Sequence, residues 1–211
     1  MAPLSVTVTG SSTITREAER GILRVSAKAE GPEKEPVSQA VTSASSELHR
    51  MFTELSPKTE VGAATADAPI TVFSSTMLRT WHFDLKESKS EKKTRVHNAS
   101  SSYSVTFRNF AKLGEVIGQL MMHPHVSIDK VEWKLTDITI KSLHSESRKL
   151  AMQNAIEKAN DYAGVVKQNV FAREINDSGY FSGAMAQQQQ QQQQQVPRGH
   201  VTVKFESEPE M

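Results

Sequence analysis

Apolar and polar residues alternate with period two along several stretches of this chain, and a helical period takes over between them. From Tyr103 to Leu135 both patterns occur in turn. Tyr103, Val105 and Phe107 alternate with Ser104, Thr106 and Arg108, the period of a half-buried strand. Leu113, Val116, Ile117, Leu120 and Met121 then fall on one helical stripe. Val131, Trp133 and Leu135 return to alternation against Lys130, Glu132, Lys134 and Thr136. This strand–helix–strand centre sets the expectation of a single α+β domain over residues 1–211, an antiparallel sheet backed by two to three helices.

The flanking pattern fills in that sheet. Leu4, Val6 and Val8, continued by Ile14, and then Leu23, Val25, Ala27 and Ala29 read as two strands of a long hairpin around the polar run Arg16–Arg20. Gly10 suits a bulge or bend, and Gly31 a strand exit. Pro36 opens a helix whose apolar positions run from Val37 through Val41, Ala44, Leu48 and Phe52 to Leu55, with Pro57 limiting its end. Residues 58–69 read as a loop. One strand follows, in which Phe73, Met77, Trp81, Phe83 and Leu85 share a parity and Arg79 is out of pattern. Its partner, about 95–109, lies across a charged tip at 86–93 that discourages edge-to-edge aggregation. The longest helix spans about 140–167, with Ala151, Ala155, Ala159 and Ala163 on one line, flanked by Leu143, Leu150, Tyr162 and Val166. Small residues on one line let a helix approach a sheet closely. A strand at 170–175 leads to a glutamine-rich loop at about 178–198, read as disordered, whose core is the run Gln187–Gln195. Val201, Val203 and Phe205 bring the chain back as a last strand, and the acidic end from Glu206 to Met211 reads as frayed. Strand–helix–strand around 37–55 and again around 110–121 is a weak topological echo.

Composition narrows the function classes. The 211 residues carry 25 basic and 24 acidic side chains, a net charge of +1, which points to neither nucleic acid nor an anionic membrane. No cysteine is present, which removes disulfides and thiolate chemistry and fits a reducing compartment. No stretch approaches the ~20 apolar residues of a membrane span, and the first ten residues do not read as a signal peptide. The expected location is the cytoplasm. In that setting the sequons at Asn98 and Asn176 carry no weight.

Five stretches in order resemble a known family. They are Val6–Gly10 with Ala18-Glu19-Arg20 and the strand from Val25 to Gly31; Val105 to Gly114; Val131 to Leu135; Arg148 with Ala151, Ala155, Ala159, Tyr162 and Ala163; and Val201 to Glu206. Together they resemble the SIMPL-domain family, named for a mammalian signalling molecule that associates with a Pelle-like kinase, with mostly bacterial envelope or periplasmic members. The resemblance implies an antiparallel sheet backed by helices, self-assembly of the kind seen in some bacterial relatives, and no catalytic set.

Candidate chemistry is correspondingly thin. His123-Pro124-His125 is the closest pair among seven histidines, without a third ligand at suitable spacing. His82 and His97 flank the charged tip, and shared apolar parity places them on opposite faces, unable to share a metal. Asp129 and Glu132 have opposite parity, which argues against an acid–base pair, and Asp137 suits a helix start. Ser100–Ser102 and the serines between Ser142 and Ser147 sit in no nucleophile motif, and no phosphate loop is present. No catalytic, cofactor-binding or metal-ligating residue is assigned, and no cofactor is expected. Two functional readings stand side by side. One is a non-enzymatic interaction or assembly protein, a signalling adaptor or homo-oligomer with an unidentified protein partner. The other is a small-molecule binder or enzyme with a pocket between sheet and helices, gathering groups such as Arg79, His97 and Tyr103.

Overall fold

A computed structural model describes residues 4–86, 93–177 and 198–207. Among them the order is β1 (Ser5–Thr13), β2 (Arg20–Gly31), α1 (Lys34–Glu54), β3 (Ile70–Ser75), β4 (Arg79–Lys86), β5 (Lys93–Phe107), α2 (Phe110–Met121), β6 (Val126–Lys134), α3 (Asp137–Val165), β7 (Val170–Asn176) and β8 (Arg198–Ser207). The protein is α+β with antiparallel pairing, as the alternation predicts. Its strands divide between two sheets, in two compact units: residues 19–134, and residues 1–18 with 135–211. The charged tip between β4 and β5, the glutamine run and the end beyond Ser207 lie outside the described residues.

In the unit of residues 19–134 the strands run β3-β5-β2-β6. β2–α1–β3 and β5–α2–β6 are two interleaved β-α-β units, the arrangement behind the sequence echo. Val37, Val41, Ala44, Leu48 and Phe52 line one side of α1, and Leu113, Val116 and Leu120 one side of α2. They close on Leu23, Val25 and Ala27 of β2, Tyr103, Val105 and Phe107 of β5, and Ile70 of β3, all buried in one cluster. Burying each such large side chain contributes about 1.5–3 kcal/mol. The Asn109 side chain accepts from the Lys112 N–H at 2.9 Å and caps α2. Met121, expected on the α2 stripe, is exposed instead, about 100° around the helix from buried Leu120.

In the other unit the order is β1-β8-β7. The last strand is its centre, and Val201, Val203 and Phe205 pack with Val8 against Ala151, Ala155 and Ala159. Thr136 caps α3 through the Thr139 N–H, with Asp137 in the first turn. The alanine line does what small residues permit. At Gly10 an added Cβ would lie 1.9 Å from the Ala151 carbonyl oxygen, and at Gly199 2.5 Å from Ser147 Oγ. Gly10 is thus a close-approach residue, and its pairing with Val201 runs without a bulge. Leu150, Tyr162 and Val166, expected to flank this packing line, are exposed: the stripe that meets the sheet is narrower than the first two positions require, and Val166 lies past the end of the helix.

Two further expectations are overturned. β1 and β2 do not form a hairpin: β1 pairs with β8, and β2 with β5 and β6. Alternation fixes faces but does not choose partners. The single strand expected from Thr71 to Leu85 is two strands on the same edge of β5. Phe73 stands opposite Val105, but Trp81 stands opposite Asn98, a one-residue slip between them. Thr76 occupies the break, donating its N–H to the Ser102 carbonyl at 2.8 Å and accepting the Ser102 N–H on its Oγ1 at 2.9 Å. A slip of one residue sends every following side chain to the other face.

Candidate functional site

The slip builds the most distinctive surface of the unit of residues 19–134. Beyond it, β4 and the outer part of β5 form a two-stranded arm in which Trp81, Phe83 and Leu85 share a face with Asn98 and Val96, turned away from the helix-covered side. Trp81 is 49% exposed, Phe83 43% and Leu85 51%. The sequence placed all three in the core, and the inserted residue moved them out. Asn98 Nδ2 is buried on this face with no hydrogen-bond partner among the described residues, so the Asn98 sequon presents no free acceptor. β4 pairs with β5 alone, which leaves its outer edge unpaired among the described residues. The arm's other face is wet. His82 stands directly opposite His97, and Asp84 opposite Arg95, whose Nε donates to Asp84 Oδ1 at 3.1 Å. The histidine rings lie 5.8 Å apart between centroids. The same slip brings onto one face two histidines that equal apolar parity would set on opposite faces.

The groups imagined around a pocket do not converge. Arg79 stands opposite Ser100 on the apolar side of the arm, whereas His97 shares the face of Ala99 and Tyr103. Tyr103 is buried, and its hydroxyl donates to the Ser45 carbonyl at 2.8 Å. Burial raises the Tyr103 pKa, and that hydrogen bond partly offsets the rise.

A groove of about 450 Å³ does run beside α1, lined by Ala40, Ser43, Glu47, Gln119, His123 and His125 among others. The loop that forms it is held by backbone bonds, the His123 N–H to Leu120 and the Lys28 N–H to the His125 carbonyl. His123 Nε2 meets the Glu47 carboxylate, and Nδ1 lies 2.7 Å from the Pro124 carbonyl oxygen. Two acceptors, one at each ring nitrogen, favour the imidazolium. Its pKa is accordingly raised, first by the Glu47 hydrogen bond and then by Pro124. Both ring nitrogens of His123 are thus engaged, while His125 is exposed.

The carboxylates near β6 are a second case of a slip. The β2–β6 register shifts between Arg24 and Val25, which leaves Asp129 without a partner residue. Asp129 therefore reaches Ser26 at 2.9 Å and Lys28 at 3.5 Å, while Glu132 reaches Arg24 at 3.4 Å and also Lys130. Both acids lie on the face opposite the Leu23–Val25 core, contrary to the simple parity count. Each is committed to a base. The Glu132 pKa is lowered, chiefly by the Lys130 hydrogen bond, which opposes service as a general acid. Among the described residues no group of three or more His, Cys, Asp or Glu gathers as a metal centre, and no helix is long and apolar enough to cross a membrane.

A sheet of interleaved β-α-β units with an antiparallel arm, and a second, three-stranded sheet under an alanine-lined helix, define an α+β class whose shared features are packing features. The family model for SIMPL, "Protein of unknown function (DUF541)", matches residues 6–209, and the chain belongs to that family. No curated protein matches the chain.

Proposed function

We propose that this SIMPL-family chain is a non-enzymatic interaction protein that assembles with a second copy of itself along β4. The observation that carries the reading is the ladder Trp81, Phe83 and Leu85, three large apolar side chains in register on an arm whose outer edge is unpaired among the described residues. An open strand beside an apolar face is a template for strand addition. The ladder carries no charge, so it meets an identical ladder without repulsion. A two-fold, antiparallel pairing centred on His82 sets Trp81 opposite the copy's Phe83, the self-complementary geometry of a closed dimer. The free edge of β1 is treated differently. Asn154 Oδ1 accepts its Ser11 N–H at 3.2 Å, and Lys158 Nζ donates to its Thr9 carbonyl at 2.8 Å. That edge is covered and β4 is the better candidate.

The same reading makes a cytoplasmic assembly or signalling adaptor the expected role, since a cysteine-free chain of near-neutral charge fits that compartment. The competing small-molecule reading draws on the groove beside His123, where Glu47 and His123 are paired with each other. Light scattering and sedimentation of the full chain test the proposal. The wild type is expected to run as a dimer or larger, and Trp81→Glu with Phe83→Glu as a folded monomer by circular dichroism. A wild type that stays monomeric, or a double variant that assembles unchanged, overturns it.

A further inference from the structure

The arm's wet face sets two imidazoles on directly opposed residues of adjacent strands. His82 and His97 are cross-strand partners with ring centroids 5.8 Å apart and planes at 44°. An ion bonded at about 2.0–2.1 Å to one nitrogen of each ring sets the ring centres roughly 5–6 Å apart. We propose that His82 and His97 form a chelating site for one divalent transition cation of imidazole preference, such as Zn²⁺, Ni²⁺ or Cu²⁺.

The ladder of β4 and β5 already fixes the backbone of both donors, so binding orders only two side chains. Imidazole donors select this class over Ca²⁺ and Mg²⁺, which take oxygen ligands. Along this face the register runs His82–His97, Asp84–Arg95 and, farther out, Lys86–Lys93. Arg95 stands two residues from His97, but its guanidinium is taken by Asp84 at 3.1 Å, which also commits that carboxylate. Among the described residues no third His, Cys, Asp or Glu joins the pair, and two protein donors leave coordination positions for water or an incoming ligand. Such a site exchanges its metal or offers it to a partner's donor, and is not a structural centre. Both donors belong to one chain's arm, so the site does not need the dimer, although an antiparallel pairing centred on His82 would set the copy's His82 beside it on the same face.

The test titrates full-length protein with ZnCl₂, NiCl₂ and CuCl₂ by calorimetry. The expected result is one ion per chain, tightest for Cu²⁺. His82→Asn and His97→Gln are each expected to weaken binding roughly tenfold or more, since either loss removes the chelate. His123→Gln and His125→Asn are expected to leave it unchanged. Substoichiometric Cu²⁺ should broaden the ring-proton resonances of His82 and His97 ahead of the other histidines, a readout that needs no variant. Overturning results are no binding, retention of wild-type affinity by either arm variant, or broadening centred on another histidine.

Discussion

Helix α1 meets its sheet through Val37, Val41, Leu48 and Phe52, whereas α3 meets its own through Ala151, Ala155, Ala159 and Ala163. The first is an interface of large side chains, with Phe52 reaching the rings of Phe73 and Tyr103 at 5.9 and 5.7 Å. The second is an interface of near-backbone contact, with Gly10 and Gly199 on the strands beneath. Proximity changes what else is possible. Around α3 the short polar groups of β1 reach the helix directly: Ser12 Oγ donates to the Ser147 carbonyl at 2.7 Å, and Asn154 and Lys158 satisfy the strand's free edge. Around α1 the distance is filled by hydrocarbon, and polar links to it include the Tyr103 hydroxyl and the Glu47–His123 pair. One helix is held mainly by volume and the other by fit, so they should fail under opposite substitutions.

Removing volume should hurt α1 most. Phe52→Ala, at a fully buried position, is expected to cost about 3–5 kcal/mol. Trp81 and Trp133 both lie within residues 19–134, so the loss should show as a lower urea midpoint by tryptophan fluorescence. Adding volume should hurt α3 most. Gly10→Ala puts a methyl group 1.9 Å from a helix carbonyl that no rotamer change can move, an overpacking cost of about 1–3 kcal/mol or more. Its signature should be an earlier loss of helical circular dichroism, with the tryptophan midpoint little changed. If Gly10→Ala and Phe52→Ala shift both signals together, the two interfaces belong to one cooperative transition and the contrast is only local.

The strands, the helices and most of their buried stripes were legible because period two and period 3.6 are written in residue order. So was the close approach of α3, from the alanine line alone. Partner choice was not: the alternation of β1 is equally compatible with β2 and with β8, more than 180 residues away. The arm was misread for a sharper reason. Parity is a count, and one inserted residue at the β3–β4 break reverses it, so Trp81, Phe83 and Leu85 moved out while His82 came to face His97. The bulge at Asp129 did the same to the acid pair. Arg79, out of pattern between Met77 and Trp81, was the available signal: a charged residue in an apolar phase marks the place where the phase ceases to face a core.

A hydrogen-bond deletion sharpens the comparison on the α1 side. Tyr103→Phe keeps the ring and its contact with Phe52 but leaves the Ser45 carbonyl without this donor. The expected cost is about 1 kcal/mol in urea denaturation, well below that of Phe52→Ala. A larger loss would mean that α1 is positioned by this hydroxyl and not by hydrocarbon, and the account of an interface held by volume would need revision.

The smallest effect concerns the clasp between α1 and the loop before β6. His123 carries a raised pKa, first through Glu47 and then through the Pro124 carbonyl. A histidine raised in the folded state stabilises fully below its unfolded value of about 6.5, and that contribution fades as pH rises through the folded value. His123→Gln should therefore cost stability near pH 6 and approach the wild type in alkaline buffer. Glu47 is largely solvent-exposed, so screening keeps the effect to about 0.5 kcal/mol. Glu47→Gln should reproduce the loss, and the double variant should add little to either single one, as expected of two partners in one contact. Thermal melts across this pH range in low salt decide the matter. A wild-type advantage that grows with pH would mean that His123 acts as a neutral packing group, and α1 would then be held at that end, as along its length, by shape alone.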